Sequence, residues 1–188
     1  NNAFNLANSV SGSGTIEQRG PGLLTLSGNS SLTGAVDIGA NALRLTSAGA
    51  LGAGRLRTSG GSLSVASGVT LDQLTVDGAL TLQTAVSTRG DQTYNGALTF
   101  LSSGTIPTGN RAAVANFASS DGNISFMGTV SAGTGSKAAQ RNLVVSAANG
   151  TVLFNDQVGQ DVVSARGASL QTINFSGLNS SEIGRAHV

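Results

Sequence analysis

Gly78-Ala79-Leu80-Thr81-Leu82 is a five-residue phrase that the rest of the chain keeps rewriting. Its elements are a turn residue, a spacer, an apolar residue, a small polar residue and a second apolar residue. The phrase recurs as Gly22-Leu23-Leu24-Thr25-Leu26, Asn41-Ala42-Leu43-Arg44-Leu45, Gly61-Ser62-Leu63-Ser64-Val65 and Gly96-Ala97-Leu98-Thr99-Phe100. Further on it returns as Gly122-Asn123-Ile124-Ser125-Phe126, Arg141-Asn142-Leu143-Val144-Val145, Gly150-Thr151-Val152-Leu153-Phe154 and Gln171-Thr172-Ile173-Asn174-Phe175. The first apolar position falls at 24, 43, 63, 80, 98, 124, 143, 152 and 173, giving intervals of 19, 20, 17, 18, 26, 19, 9 and 21. An interval that keeps returning near 20 is the signature of a repeat architecture in which each unit stacks on its neighbours.

Within each phrase, strand alternation places the two apolar residues on one face and the residue between them on the other. The middle position is mostly small and polar, which is the patterning of half-buried strands. The second apolar position holds Leu26, Leu45, Val65 and Leu82 early, then Phe100, Phe126, Val145, Phe154 and Phe175. Four of the six phenylalanines therefore share it. They point the way the leucines point, so a column of rings inside a core is expected rather than an aromatic platform for sugars. Nine such units at a strand spacing of ~4.8 Å would span roughly 43 Å.

Bulk composition narrows the function. Net charge is +1 and only 10% of the 188 residues are charged, which leaves no basic footprint for nucleic acid. Without cysteine there are no disulfides, thiolate metal sites or thiol nucleophiles. No apolar run is long enough for a membrane-spanning helix. The chain shows no signal peptide and does not begin with Met, so it reads as an internal piece of something longer. Asn1 to Gly20, rich in Asn, Ser and Gly, reads as a partial repeat with one weak strand around Gly14-Thr15-Ile16.

From Gly20 to Val65 a set of short motifs follows in order: Gly-Pro-Gly-Leu-Leu-Thr-Leu-Ser-Gly-Asn-Ser-Ser-Leu-Thr-Gly, Ala42-Leu43-Arg44-Leu45, Ala50-Leu51-Gly52-Ala53-Gly54 and Gly60-Gly61-Ser62-Leu63. This resembles the passenger-associated transport repeat of bacterial autotransporters, with Leu32 standing where that family usually has Tyr. Asp91 to Phe100, Gly122 to Val130 and Asn149 to Asn155 are similar to repeats of filamentous-haemagglutinin-like adhesins. The resemblance implies an all-β fold, a right-handed parallel β-helix (β-solenoid) with coils of about 20 residues. It also implies export to the bacterial cell surface, with an outer-membrane translocator barrel as partner in cis or in trans.

Two stretches break the rhythm. Ser102–Asp121 and Ser131–Arg141 read as insertions, which in repeat proteins map to loops on one face. Asp77-Gly78, Asn95-Gly96, Asp121-Gly122 and Asn149-Gly150 also suit hairpin turns, which keeps an antiparallel sandwich-type binding module as an alternative. Such a sandwich places turns every 8–12 residues or so.

The candidate chemistry is thin. The nine acidic residues are scattered. Asp72 and Asp91, 19 positions apart, could stand one repeat apart on one face, as a carbohydrate-active β-helix enzyme would require. Gly133-Thr134-Gly135-Ser136-Lys137 lacks the Gly-Lys-Ser/Thr ending of a phosphate loop and reads as a flexible loop. No catalytic residue, metal ligand or cofactor site emerges.

Arg89-Gly90-Asp91 is the one motif with receptor logic, since an integrin reads the Asp carboxylate through a bound metal and the Arg through an acidic pocket. Asp91 also opens the Asp-Gln-Thr-Tyr repeat phrase, so a structural role competes. Glu182-Ile183-Gly184-Arg185-Ala186-His187-Val188 departs from the pattern, and one back-translation, GAG-ATC-GGA-AGA-GCA-CAC-GTC, is a widely used sequencing adapter. The expectation is a β-solenoid over residues 1–181 followed by a non-native tail, 182–188. The function expected is that of a monomeric, non-catalytic stalk of a secreted or surface-displayed adhesin, with host or neighbouring-cell receptors or glycans as partners.

Overall fold

The computed structural model describes residues 3–100, 113–132, 141–156, 158 and 170–176. The Gly133–Lys137 stretch and the tail 182–188 lie outside them. The described chain is all-β, without a helix, and every strand pairing in it is parallel. The antiparallel alternative is thereby overturned.

Two long sheets dominate. The first is built from Phe4–Leu6, Leu23–Leu26, Ala42–Leu45, Gly61–Val65, Leu80–Leu82, Leu98–Phe100 and Val130–Ala132, hydrogen-bonded in that order. The second runs Ile16–Gln18, Ala35–Ile38, Arg55–Thr58, Leu74–Val76, Gln92–Tyr94, Ile124–Phe126 and Val152–Phe154. A third sheet joins Val86–Thr88, Ala113–Ser119, Arg141–Ala147 and Leu170–Ser176. Ser11–Gly12 and Ser31–Leu32 form a separate pair. The chain alternates between the two long sheets, so each repeat gives one strand to each, and strands of successive repeats lie side by side.

The alternation read from the sequence decides what faces inward. Leu80, Leu82, Leu74, Val76, Leu98 and Phe100 are buried, and the Thr81, Thr75 and Thr99 between them are half-buried. One hydrophobic cluster draws on all three sheets, taking Leu45 from the first, Val36 and Leu56 from the second and Phe117, Leu143 and Val145 from the third. Parallel sheets usually have both faces covered and read as continuous apolar runs. Here the outer face carries Ser and Thr in water, which is why the strands alternate.

Register corrects which phrases stack on which. Leu24, Leu43 and Leu63 do stand in one row, as do Leu80 and Leu98. Between these rows the pairing slips by two: Leu80 lies beside Gly61, and Leu82 beside Leu63. A two-residue slip keeps side-chain parity, so the inside stays inside. Ile124 and Val152 belong to the second sheet, beside Gln92, and Leu143 and Ile173 belong to the third. One sequence phrase thus serves three sheets, and among the described residues the two long sheets hold seven strands each. At ~4.8 Å per strand seven strands span about 34 Å.

The expected ring column is redistributed in the same way. Phe100 lies in the first sheet, and the ladder runs through Tyr94, Phe126 and Phe154 of the second. Tyr94 and Phe126 stack at 5.1 Å between centroids and Phe126 and Phe154 at 4.7 Å, while Phe117 meets both Tyr94 and Phe126 edge-on. Stacked and edge-to-face geometries are both favoured by the ring quadrupole. Asn1 to Gly20 also holds more than a partial repeat, with strands Phe4–Leu6, Ser11–Gly12 and Ile16–Gln18 in place of one weak strand. The expected insertion Ser102–Asp121 contains the strand Ala113–Ser119.

The Asp-Gly and Asn-Gly pairs are corners, not hairpins. Gly78, Gly96 and Gly128 follow one another where the chain passes from the second sheet to the first. None has the left-handed φ that a type I′ turn needs. The requirement is space: a Cβ on Gly128 would lie 2.6 Å from the carbonyl carbon of Gly96.

Candidate functional site

Arg89-Gly90-Asp91 forms the corner between Val86–Thr88 of the third sheet and Gln92–Tyr94 of the second. The next repeat turns the same corner with Ser120-Asp121-Gly122-Asn123, and the one after with Ala148-Asn149-Gly150-Thr151. The three glycines form a close-packed file, since a Cβ on Gly150 would lie 2.6 Å from the carbonyl carbon of Gly122, and one on Gly122 would collide with Gly90.

The triplet is tied down mainly by its backbone. The Arg89 N–H donates to the Leu71 carbonyl at 2.9 Å and the Gly90 N–H to the Asp72 carbonyl at 2.8 Å. The Arg89 carbonyl accepts the Asp121 N–H at 2.7 Å, and the Gly90 carbonyl accepts the Thr88 and Ser119 hydroxyls at 2.6 and 2.8 Å. The side chains of Arg89 and Asp91 are exposed. One carboxylate oxygen of Asp91, Oδ1, accepts the Asn123 N–H at 2.8 Å. Asn123 Oδ1 in turn accepts the Thr151 N–H at 2.9 Å and the Thr151 hydroxyl at 3.0 Å. Asp91 is therefore the first rung of a side-chain ladder running along the corner. Its carboxylate is exposed and sits in a hydrogen-bonded turn.

A second set of bonds lies at the corner where the chain passes from the second sheet to the first. Arg57 meets the Asp77 carboxylate at 2.8 Å, and Asn95 Nδ2 donates to Asp77 Oδ1 at 3.0 Å. The Arg57 hydrogen bond, then that from Asn95, holds the Asp77 carboxyl below the usual carboxylate range, and the same partner raises the Arg57 guanidinium. Asn149 Nδ2 repeats the Asn95 arrangement on Asp121 Oδ1, at 3.1 Å.

Asp72 and Asp91 do not share a column. Asp72 lies beside Gly90, one position before Asp91, because the repeats here are offset by 18 rather than 19. Among the described residues no group of three or more His, Cys, Asp or Glu side chains could hold a metal ion. Among the described residues the polar side chain buried deepest is that of Gln92, whose Nε2 donates to the Ala118 carbonyl at 2.7 Å and to the Thr88 hydroxyl at 3.2 Å. Its Oε1 accepts the Tyr94 hydroxyl at 3.0 Å, and burial pushes the Tyr94 phenol well above its usual range. Gln92, Tyr94 and Thr88 are all buried, so the network is a clamp between sheets.

Sequence reasoning missed that Asn95 bonds Asp77, Asn149 bonds Asp121 and Asn123 bonds Asp91, each across neighbouring repeats. The signal was present, since an Asx residue flanks the corner glycine at Asp77-Gly78, Asn95-Gly96, Asp121-Gly122-Asn123 and Asn149-Gly150. No family model matches the sequence, and comparison with curated proteins and with solved structures likewise finds no match.

Proposed function

We propose that this chain is a stretch of right-handed parallel β-helix serving as a non-catalytic stalk segment of a secreted or surface-displayed bacterial adhesin of the autotransporter or filamentous-haemagglutinin kind. The observation that carries the reading is the row-upon-row parallel pairing of successive repeats around one apolar cluster. An arrangement of that kind grows in one direction, each repeat adding length and depending only on its neighbours. That suits a spacer holding adhesive elements away from a membrane. The Ser and Thr outer faces and the corner ladders of Asp and Asn supply a hydrated, weakly charged exterior. The implied partners are a translocator barrel and receptors or glycans on host or neighbouring cells, with Arg89, Gly90 and Asp91 as a candidate receptor contact. The rival, a carbohydrate-active enzyme, gains nothing from the separation of Asp72 and Asp91 into different columns.

Protease shaving of intact source cells tests the placement. Peptides of this chain should appear in the shaved fraction; their retention inside shaved, unlysed cells would overturn the surface reading.

A further inference from the structure

We propose that Asn95 and Asn149 are latent deamidation sites, locked while the repeats are stacked and reacting irreversibly when the corner opens. They are the two asparagines of the chain that precede glycine, and both side chains are exposed. In each case the side-chain amide donates to an Asp that itself precedes a glycine one repeat earlier: Asn95 to Asp77 at 3.0 Å, Asn149 to Asp121 at 3.1 Å. Asn149 adds a bond to the Ser120 carbonyl at 3.0 Å.

The reaction needs only water. The backbone nitrogen of the glycine, having lost its proton to hydroxide, attacks the Asn side-chain carbonyl carbon. A bond from nitrogen to Cγ forms, the bond from Cγ to Nδ2 breaks, and ammonia leaves with the proton it needs. Water then opens the five-membered imide at one carbonyl or the other, giving aspartate or isoaspartate.

Two features of the fold oppose ring closure. The amide must leave its Asp partner so that Cγ can swing onto the following nitrogen. The glycine must also shift, yet Gly96 is packed against the Gly78 carbonyl and Gly150 against that of Gly122 so closely that neither site could hold a Cβ. Reaction therefore proceeds through the locally opened corner, at a rate set by how often that corner opens. The product does not restack. A new carboxylate at either position would face the Asp carboxylate that now accepts the amide, and isoaspartate would add a main-chain atom at a turn with no room for one. Arg57 offsets part of the charge at Asp77, whereas Asp121 has no ion pair among the described residues, so the Asn149 product is the more disruptive.

Peptide mass spectrometry of the full chain, aged at mildly alkaline pH with and without denaturing urea, tests this. Both asparagines should convert at least about tenfold more slowly in the folded chain, a factor equivalent to ~1.4 kcal/mol of local opening. Equal rates in the two conditions would overturn the proposal. Asp77→Ala in the folded chain should speed conversion of Asn95 by about fivefold, the factor a typical net hydrogen bond supplies, and leave Asn149 unchanged. The Asn149 rate in the same molecule reports that the fold has survived. An unaltered Asn95 rate with Asn149 still protected would overturn the role of the Asp partner.

Discussion

The Asp91 carboxylate accepts the backbone N–H of Asn123 at 2.8 Å, and the Asn123 side-chain oxygen accepts that of Thr151 at 2.9 Å. The same bond is thus made twice, once by a carboxylate and once by an amide. The corner needs an acceptor oxygen on a short side chain and is indifferent to its charge. An integrin-type receptor is not indifferent, because it reads the carboxylate.

Asp91→Asn separates the two roles. The variant should keep the Asn123 bond and unfold in urea within about 0.5 kcal/mol of the parent. Asp91→Ala should lose about 0.5–1.5 kcal/mol with the bond. If immobilised chain supports attachment of integrin-bearing cells, Asp91→Asn should abolish it at unchanged stability. Attachment that survives this change would remove Arg89-Gly90-Asp91 from the receptor contact.

The inside–outside assignment was legible at Leu80, Thr81 and Leu82 because a period of two needs only a few residues to declare itself. What the sequence did not reveal was which sheet each phrase joins. Leu98-Thr99-Phe100 and Ile124-Ser125-Phe126 have the same pattern, yet the first lies in the first sheet and the second beside Gln92-Thr93-Tyr94. Alternation encodes a face, not a partner. The partner is set by the residues between phrases: repeats in the second sheet are offset by 18 positions at Leu74–Gln92, 32 at Gln92–Ile124 and 28 at Ile124–Val152. The corner ladder was hidden for a related reason, since Asp and Asn beside Gly read equally well as hairpin turns until the glycine φ angles are known.

Tyr94→Phe should be more costly than the loss of one oxygen suggests. The hydroxyl is the donor that satisfies Gln92 Oε1, and Gln92 is fully buried. Removing it strands an acceptor in a dry interior, which costs about 1–3 kcal/mol, while the ring keeps its stack on Phe126. Pairing the change with Gln92→Leu should recover part of the loss, because no orphan then remains. Urea titration of the single and double variants decides it; a neutral Tyr94→Phe would show that the clamp is unimportant.

Gly96→Ala tests the corner file. Its φ is ordinary, so the backbone would accept alanine, but the new methyl would meet the Gly78 main chain. A cost of about 1–3 kcal/mol is expected from forced displacement of packed backbone. Gly20→Ala, where nothing lies within 4 Å, should stay within about 0.5 kcal/mol. Equal thermal midpoints for the two variants would show that the repeats are not packed so tightly at this corner.

The Asp77 carboxyl sets a pH signature. Its folded pKa lies below its unfolded value because Arg57 and Asn95 favour the charged form. The stability it contributes is therefore complete above about pH 4, the unfolded value, and is lost as pH falls through the lower, folded value. The stability difference between parent and Asp77→Asn should be flat from neutral pH down to mildly acidic pH and close only below about pH 4. The effect is small, because both partners are well exposed and water screens the pair. A difference that closes near neutral pH would assign the linkage to some other group.

The last test addresses the stacked rows themselves. Leu80 is 2% exposed and lies between Gly61 on one side and Leu98 on the other. Leu80→Ala should cost ~2–5 kcal/mol, toward the upper end, because Gly61 has no side chain with which to close the cavity. Leu80→Asp should be worse, since a carboxylate placed there finds no partner among Leu63, Leu82, Leu98 and Phe100. Thr81→Asp, one residue along, faces outward between Ser62 and Thr99 and should change stability by no more than about 0.5 kcal/mol. Urea denaturation of the three variants gives the ranking. If Thr81→Asp proves as damaging as Leu80→Asp, the two faces of the first sheet have been assigned the wrong way round, and the row-upon-row packing of leucines fails with that assignment.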